Sequence, residues 1–307
     1  MPGFILRRLL SAIPTIFIVV TISFFLMRFA PGGPFNLERA LPPQIMAHML
    51  SAYRLDQPLY LQYLSYLGNV LRGDFGPSYV YRDFTVAELI GQSLPYSLEL
   101  GSLAMVLAVV IGVAAGVLAA LRQNGIVDHA VMTAATIGLT IPNFVVGPLL
   151  SLVFAVMLAW ASAGGWGSGS FRDLVLPVTA LALPQLSVFA RLTRGSMIET
   201  LRADHIRTAR AYGLPPHAVV IVHALRGALL PVVTYLAPCA AALLTGSVVV
   251  ETIFAIPGVG RYFVQGAINR DYTLVMGTVV LVAVFIIFFN LIVDLLYAVL
   301  DPRVHLD

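Results

Sequence analysis

The residues most able to do chemistry lie together in the stretch RTARAYGLPPHAVVIVHALRGALLP, residues 207–231. It holds three arginines and two histidines around a Gly-Leu-Pro-Pro break, between two long apolar runs. Guanidinium and imidazole groups at this density can bind anions, hold a metal, move protons or contact another protein. None of the six histidines in the chain pairs with Cys, Asp or Glu at a metal-ligand spacing, so we expect no metal site.

The rest of the sequence contains few residues in patterns typical of enzymes. All 18 basic residues are arginine, and without lysine there is neither the Gly-Lys-Ser/Thr of a P-loop nor a Schiff base. Cys239 is the only cysteine and lies in an apolar run, so it forms no internal disulfide. Ser-His-Asp, His-Glu-x-x-His and paired-carboxylate patterns are not evident. The sequence therefore predicts a protein that is not an enzyme and holds no cofactor of its own.

The elements that carry these residues are long and apolar. Hydrophobic residues make up 59% of the chain and charged residues 11%, whereas a soluble domain has roughly 25% charged residues. A helix crosses the hydrocarbon core with about 20 apolar residues. Six runs are long enough, at 9–29, 97–121, 131–160, 174–192, 228–250 and 274–300. Pro177 and Pro184 interrupt the fourth run, which membrane helices tolerate.

Arginine placement predicts the orientation of the spans. Short loops and span ends on one side carry ten arginines, and those on the other side carry three. Such an excess marks the cytoplasmic side. We therefore expect both termini and the 207–231 stretch to be cytoplasmic, with the first helix uncleaved. Topology alone then explains part of the positive charge in that stretch.

The long 31–96 segment is predicted to lie outside the membrane. In PLYLQYLSYLGNVLR, Tyr60, Tyr63, Leu64, Leu67 and Leu71 fall on one face of a helix. Pro-Pro-Gln at 42–44 suggests a further helix start. Such helices either cover the spans or dock a soluble partner, and both alternatives stay open.

The cytoplasmic loop, residues 193–227, is predicted to form a helix, a sharp turn and a second short helix. The first helix ends at Gly213, a typical stop residue. Pro215 and Pro216 suit the first turn of the second helix, which runs to Val222. A short exposed element of this kind is suited to a groove on another protein. The alternative is a positively charged loop that only sets topology.

Few polar groups interrupt the spans, and each is a candidate for the lining of a transport pathway. Hydrogen bonding between helices is the commoner role for such groups. Asp294 lies near the predicted cytoplasmic end, so we expect it to pair with a cytoplasmic arginine. The candidates are Asn143, Gln185, Thr245, Ser247, Asn290 and Asp294.

Five motifs in order along nearly the whole chain resemble the permease subunits of bacterial ABC importers, in the peptide branch. RTARAYGL and HALRGALLP resemble the cytoplasmic loop of that branch, and ETIFAIPGVGRYFVQGAINRDY and NLIVDLLYAVLDPRV resemble its last third. FILRRLLSAIPTIFIVVTISFFLMRFAPGGPF, followed by LDQPLYLQYLSYL and GDFGPSY, resembles the oligopeptide-permease subunit that carries a long first outside loop. Arg207 stands where the wider superfamily has glutamate, and Tyr212 stands where lysine is expected.

The resemblance implies an all-α integral membrane protein with six transmembrane helices, the type I ABC-importer permease architecture and cytoplasmic termini. It implies a second homologous six-span subunit, two P-loop ATPases that hold ATP and Mg, and a periplasmic peptide-binding protein, with no nucleic acid. We expect residues 1–30 to form an N-terminal helix and the first span, 31–96 a periplasmic loop with amphipathic helices, and 97–307 a core of five spans that includes the cytoplasmic coupling loop 193–227. The location is the bacterial inner membrane.

The resemblance also implies roles for two sets of residues. The set expected to couple to the ATPase is Arg207, Thr208, Ala209, Arg210, Gly213, Leu214, Pro215, Pro216 and His217. The set expected to form a periplasmic gate or to contact the binding protein is Phe254, Pro257, Gly258, Gly260, Arg261 and Tyr262. An ordinary buried turn is the alternative for the second set.

The expected activity is import of oligopeptides by alternating access, driven by the partner ATPases. Import of dipeptides, glutathione, nickel chelates or antimicrobial peptides by the same machine stays open. A self-sufficient secondary transporter is a further alternative. It needs a proton or sodium relay inside the spans, and Asp294 alone does not form one.

Overall fold

The computed structural model describes residues 2–29, 42–81, 83–167 and 169–300, and this part of the chain is helical with no β-strand. The first six helices are α1 (Pro2–Phe29), α2 (Pro43–Ala52), α3 (Leu59–Val70), α4 (Val86–Leu121), α5 (Ile126–Thr140) and α6 (Asn143–Met157). The last six are α7 (Phe171–Leu201), α8 (Asp204–Ala211), α9 (Pro216–Ala228), α10 (Leu230–Ile253), α11 (Gly260–Ile268) and α12 (Tyr272–Leu300).

The membrane spans follow the predicted runs with one clear difference. In the described residues, α1, α4, α7 and α12 are each long and apolar enough to cross a bilayer, and two bent helix pairs raise the number to six if each pair is one span. The run predicted as one span at 131–160 is such a pair, because α5 and α6 meet at 105°. Ile141 has an extended backbone (ψ 119°), as expected for the residue before Pro142.

The fourth predicted span is a longer helix than the sequence suggested. Pro177 and Pro184 lie inside α7 without ending it. The helix also continues to Leu201, so the predicted cytoplasmic loop begins about two turns of helix later than residue 193, and α7 leads directly to α8.

The core is the packing of α4 against α7. Ala104, Ala108, Gly112 and Gly116 recur every four residues on α4 and are buried. A Cβ at Gly116 would lie 2.6 Å from the Ala190 carbonyl oxygen, so the two backbones approach too closely for any larger residue. Small residues allow this approach in membrane helices. The two helices therefore form one closely packed, rigid unit.

The remaining helices define two ends of the molecule. Helix α1 runs antiparallel to α12, with Arg8 on Asp294 at one end and Phe24 against Met276 in one cluster near the other. The carboxyl-terminal ends of α4 and α7 also lie at the first of these ends. Just beyond these helices, Arg202 donates to the side chain of Gln123 at 3.1 Å. We call this first end the arginine-rich end, and we call the other one the opposite end.

The cap at the opposite end, formed by residues 42–81, is built on α3, and the buried face of this helix matches the predicted one only at Tyr63 and Leu67. Tyr66 is buried, and its ring stacks at 5.7 Å on Phe24 of α1. The Tyr63 and Thr21 hydroxyls lie 2.7 Å apart. Leu64 and Leu71 of the predicted apolar face are 59% and 87% exposed. The helix is therefore rotated relative to the prediction, because the aromatic pair with α1 outweighs the leucines.

Candidate coupling surface and outer turn

The arginine-rich loop is the segment from Ala203 to Leu229, which holds α8 and α9. Helix α8 stops at Gly213, whose φ of +75° puts it in the left-handed region where glycine carries no penalty. Helix α9 then begins with Pro216 at its first position, where the missing N–H costs nothing. The predicted helix, turn and second helix are confirmed. The second helix is longer than predicted and bends by 50° into α10.

Buried residues hold this loop onto the α4–α7 pair. Ile206, Ala209, Val219 and Ala224 pack in one cluster with Met197 of α7. Ala209 therefore supports the loop from inside, although it belongs to the set expected to touch an ATPase. The loop is a folded surface rather than a loose connection.

The outward face of the loop mixes charge with apolar surface. Tyr212, Ile221 and Val222 are 83%, 61% and 60% exposed. The other residues predicted to couple to an ATPase lie beside them and are also exposed, namely Arg207, Thr208, Arg210, Gly213, Leu214, Pro215, Pro216 and His217. Aromatic, aliphatic and arginine side chains together are typical of protein interfaces. We call this face the coupling surface.

A buried ion pair fixes the base of the coupling surface. Asp128 of α5 is 1% exposed and receives the Arg194 Nε of α7 at 2.5 Å and its Nη2 at 2.7 Å. The backbone N–H of Asn124 donates to the same carboxylate at 2.8 Å. Three elements are thereby held together beneath the loop. The sequence analysis missed Asp128, whose partner is 66 residues away, although an acidic residue in a first helical turn was visible.

The outer turn at the opposite end is organised by a second buried carboxylate. Glu251 lies in the last turn of α10 and is 1% exposed. The Ser97 hydroxyl of α4 donates to its Oε1 at 2.7 Å and accepts from the Val259 N–H at 2.8 Å. The carboxylate rests on Gly258 and Gly260, where a Cβ would collide with it. Ser97 and Glu251 thus fix the turn that leads into α11.

The residues predicted to form a gate or to contact a binding protein lie in and beside this turn. Phe254 and Tyr262 are buried at 1% and 8% exposure, and Gly258 and Gly260 are buried with them. Pro257 is half-buried, and Arg261 lies 4.9 Å over the Tyr262 ring. In the isolated chain most of this set therefore packs inward, and a gate role stays a prediction.

The polar groups predicted inside the spans mostly have partners within the chain. Tyr235 donates to Gln185 at 2.9 Å, Asn290 donates to the Ile286 carbonyl at 2.8 Å, and Ser247 is buried at 1% exposure. The Asn143 Oδ1 is buried without a hydrogen-bond partner among the described residues. The side chain of Thr245 lies outside the described part. Whether any of these groups lines a pathway stays a prediction.

Asp294 forms the arginine pair that the sequence predicted. Arg8 Nη2 donates to its Oδ1 at 2.9 Å, and Arg8 Nε lies 2.9 Å from its Oδ2. The partner is an arginine at the start of α1. The carboxylate is thereby neutralised at the edge of its span.

Asp271 joins the cap to the membrane helices and was also missed. It is fully buried and accepts the Ser78 hydroxyl and the N–H groups of Tyr79 and Val80 at 3.1 and 3.2 Å. Its second oxygen accepts the Leu274 N–H at 3.1 Å, which caps α12. Burial raises the pKa of the Tyr79 phenol. The signal in the sequence was an aspartate just before a helix.

Comparison with known proteins gives two family matches that cover most of the chain. The model described as binding-protein-dependent transport system inner membrane component matches residues 112–306. The model for the N-terminal part of such membrane components matches residues 1–100.

Two relatives align over nearly the full length. The oligopeptide transport system permease protein OppB of Salmonella typhimurium (strain LT2) is 53% identical over 302 residues, which cover 98% of this chain and 99% of that protein. The dipeptide transport system permease protein DppB of Bacillus subtilis (strain 168) is 44% identical over 306 residues, with 100% and 99% covered.

Two solved structures share the fold. A chain of the MetNI methionine ABC transporter in inward-facing conformations has a TM-score of 0.58 at 20% identity, over 69% of this chain and 96% of that chain. An amino acid ABC transporter solved with histidines has a TM-score of 0.51 at 16% identity, over 71% and 94%. These matches cover about two thirds of this chain, so they leave part of it without a counterpart.

Proposed function

The chain belongs to the family of binding-protein-dependent transport system inner membrane components, and from this premise we propose that it is the membrane-spanning subunit of an ATP-driven oligopeptide importer. It is a multi-pass protein of the inner membrane. The resemblance drawn from its motifs to the peptide branch of ABC importers is confirmed by the identity to OppB. The higher identity to OppB than to DppB favours oligopeptides over dipeptides.

Six spans with cytoplasmic termini are the topology that best fits this role. The four long helices supply four spans, and the pairs α5–α6 and α9–α10 supply the other two. The arginine excess then puts the coupling surface in the cytoplasm and the 31–96 segment in the periplasm. The same division into a first span, a periplasmic loop and a core of five spans is part of the proposal.

The observation that carries the proposal is the coupling surface itself. It is exposed, mixes apolar and charged side chains, and is fixed through Ile206 and Val219 to the rigid α4–α7 pair. When an ATPase bound to this surface moves, the α4–α7 pair moves with it. We propose a second homologous subunit, two P-loop ATPases that hold ATP and Mg, and a periplasmic binding protein as the partners.

A bulky residue in the coupling turn tests the proposal. Gly213 has open space around it, so Gly213→Trp projects an indole from the turn toward the partner. Gly213→Ala is the matched control, because it carries the same backbone strain at a positive φ without the bulk. In the reconstituted assembly we expect the tryptophan variant to lose ATP-dependent tetrapeptide uptake and the alanine variant to keep most of it. Normal uptake by a well-inserted tryptophan variant contradicts the coupling role.

Import of dipeptides by the same machine is the second candidate, favoured by the 44% identity to DppB. Competition between labelled di- and tetrapeptides for uptake by the complete assembly separates the two. Efflux or uptake by the chain alone, independent of ATP, contradicts both and favours a secondary transporter.

A further inference from the structure

A polar cavity of about 510 Å3 opens inside the cap at the opposite end. The end of α1 and the first turn of α12 form its floor, and α3 and the 72–79 segment form its walls. Sites for small ligands have about this volume. It is separate from the coupling surface and from the outer turn.

Positive charge dominates the wall of this cavity. Arg28, Arg54 and Arg72 line it, and Asp74 is the acidic residue among the described lining groups. The Gly76 N–H already occupies Asp74 Oδ1 at 2.8 Å. Arg28 lies 5.3 Å over the Phe24 ring, which holds its guanidinium in place. The charge balance suits an anion, and guanidinium groups suit a carboxylate.

Three residues that line the cavity each have a buried polar atom without a hydrogen-bond partner among the described residues, namely Tyr66 Oη, Arg28 Nε and Gln62 Oε1. Tyr66 is 8% exposed. The orientation of the Gln62 amide is fixed, because its Nε2 donates to the Leu55 and Gln57 carbonyls at 3.1 and 2.7 Å. Leaving such atoms unpaired is unfavourable. Two donors and one acceptor are therefore unpaired. A ligand that carries both a hydrogen-bond acceptor and an N–H donor satisfies all three.

We propose that this cavity binds the carboxyl-terminal end of a peptide. The carboxylate accepts from the Arg28 and Tyr66 donors with Arg72 close by, and the last amide N–H of the peptide donates to Gln62 Oε1. The inference rests on the proposed function, which brings peptides to this face. A lipid phosphate fits less well, because a phosphodiester offers no N–H to Gln62 and its acyl chains need an apolar channel.

The test is equilibrium binding to the assembled transporter in lipid nanodiscs without ATP or binding protein. The probes are tetra-alanine with a dye on its amino terminus and the same peptide with an amidated carboxyl terminus, both followed by fluorescence anisotropy. We expect the free acid to bind about tenfold more tightly than the amide, the size of one charge-assisted hydrogen bond.

Two variants and one control locate the binding. Tyr66→Phe removes only the unpartnered hydroxyl, and Arg72→Gln removes one charge from the mouth. Each should weaken binding of the free acid severalfold and leave the amide unchanged. Arg270→Gln removes an exposed arginine elsewhere at the same end and should change neither probe. If Tyr66 has only a structural role, Tyr66→Phe should leave the preference for the free acid over the amide unchanged.

Equal binding of acid and amide overturns the proposal. So does loss of binding in phosphatidylglycerol nanodiscs compared with neutral ones, because a lipid headgroup is then the occupant. ATP-driven uptake is measured separately on the same assembly. Normal uptake without acid preference contradicts only the cavity, and acid preference without uptake contradicts only the proposed function.

Discussion

The two ends of the molecule each depend on buried carboxylates, but these are held in different ways. At the arginine-rich end Asp128 is bound by the charged Arg194 through two hydrogen bonds. At the opposite end Glu251 and Asp271 are bound by hydroxyls and backbone N–H groups. All of these bonds are made to a carboxylate, but only at Asp128 is the donor charged as well and the contact bidentate, which adds energy and geometric specificity. The difference suggests a fixed base under the coupling surface and contacts at the outer turn that are easier to remake during a transport cycle.

Removing Asp128 should have the largest effect on stability. Asp128→Ala leaves Arg194 without its partner, and breaking a buried pair costs about 3 kcal/mol, with partial exposure of Arg194 limiting the loss. Denaturant unfolding in mild detergent measures it. Asp204→Ala is the control, because its pair with Arg207 is exposed and should contribute less than about 0.5 kcal/mol. Equal effects of the two variants contradict the fixed base.

Removing Asp271 should have the next largest effect. Asp271→Ala leaves the Tyr79 and Leu274 N–H groups without their acceptor, which costs about 2 kcal/mol. Amide hydrogen exchange at Tyr79 and Val80 should speed up while exchange in α7 stays unchanged. Asp271→Asn keeps one oxygen acceptor and should lose less. Unchanged exchange in the alanine variant means that the cap is held by its aromatic contacts instead.

Ser97 gives a smaller and more local effect. Ser97→Ala removes the hydroxyl between Glu251 and the Val259 N–H, at about 1 kcal/mol. We expect ATP hydrolysis by the assembly to become less dependent on the binding protein, because the outer turn is loosened. Ser102→Ala, on the exposed face of the same helix, should alter neither stability nor stimulation. Unchanged stimulation in Ser97→Ala removes the outer turn from the transport cycle.

Substitutions on the coupling surface should have the smallest effect on the free energy of unfolding and the largest effect on assembly with the ATPases. Ile221→Asp places a charge on a residue that is 61% exposed, so the free energy of unfolding should change by less than about 0.5 kcal/mol. The ATPases should nevertheless fail to copurify. Ile126→Asp, which is 89% exposed at the same end, is the matched control and should retain them. Loss in both variants means a nonspecific effect of charge.

Local signals predicted the backbone geometry of the arginine-rich loop well. Gly213 and Pro216 mark the turn within a few residues, so no distant contact was needed to place α8 and α9. The break between α5 and α6 was missed even though Pro142 was visible, because an unbroken apolar run reads as one span. Asp128 and Asp271 were missed because their partners are far away in sequence. Tyr66 was left off the predicted apolar face of α3, because its contact with Phe24 of α1 cannot be read from helical periodicity.

The most direct test of the difference between the two ends is a pair of distances in the assembled transporter. Spin labels at Ile126 of α5 and Glu199 of α7 report the arginine-rich end, and labels at Phe171 and Ile268 report the opposite end, all at exposed positions in a Cys239→Ala background. Between the nucleotide-free and ATP-bound states we expect the first distance to stay constant and the second to change by more than about 2 Å. A constant distance at the opposite end together with a changing distance at the arginine-rich end contradicts both the fixed base and the adjustable outer turn.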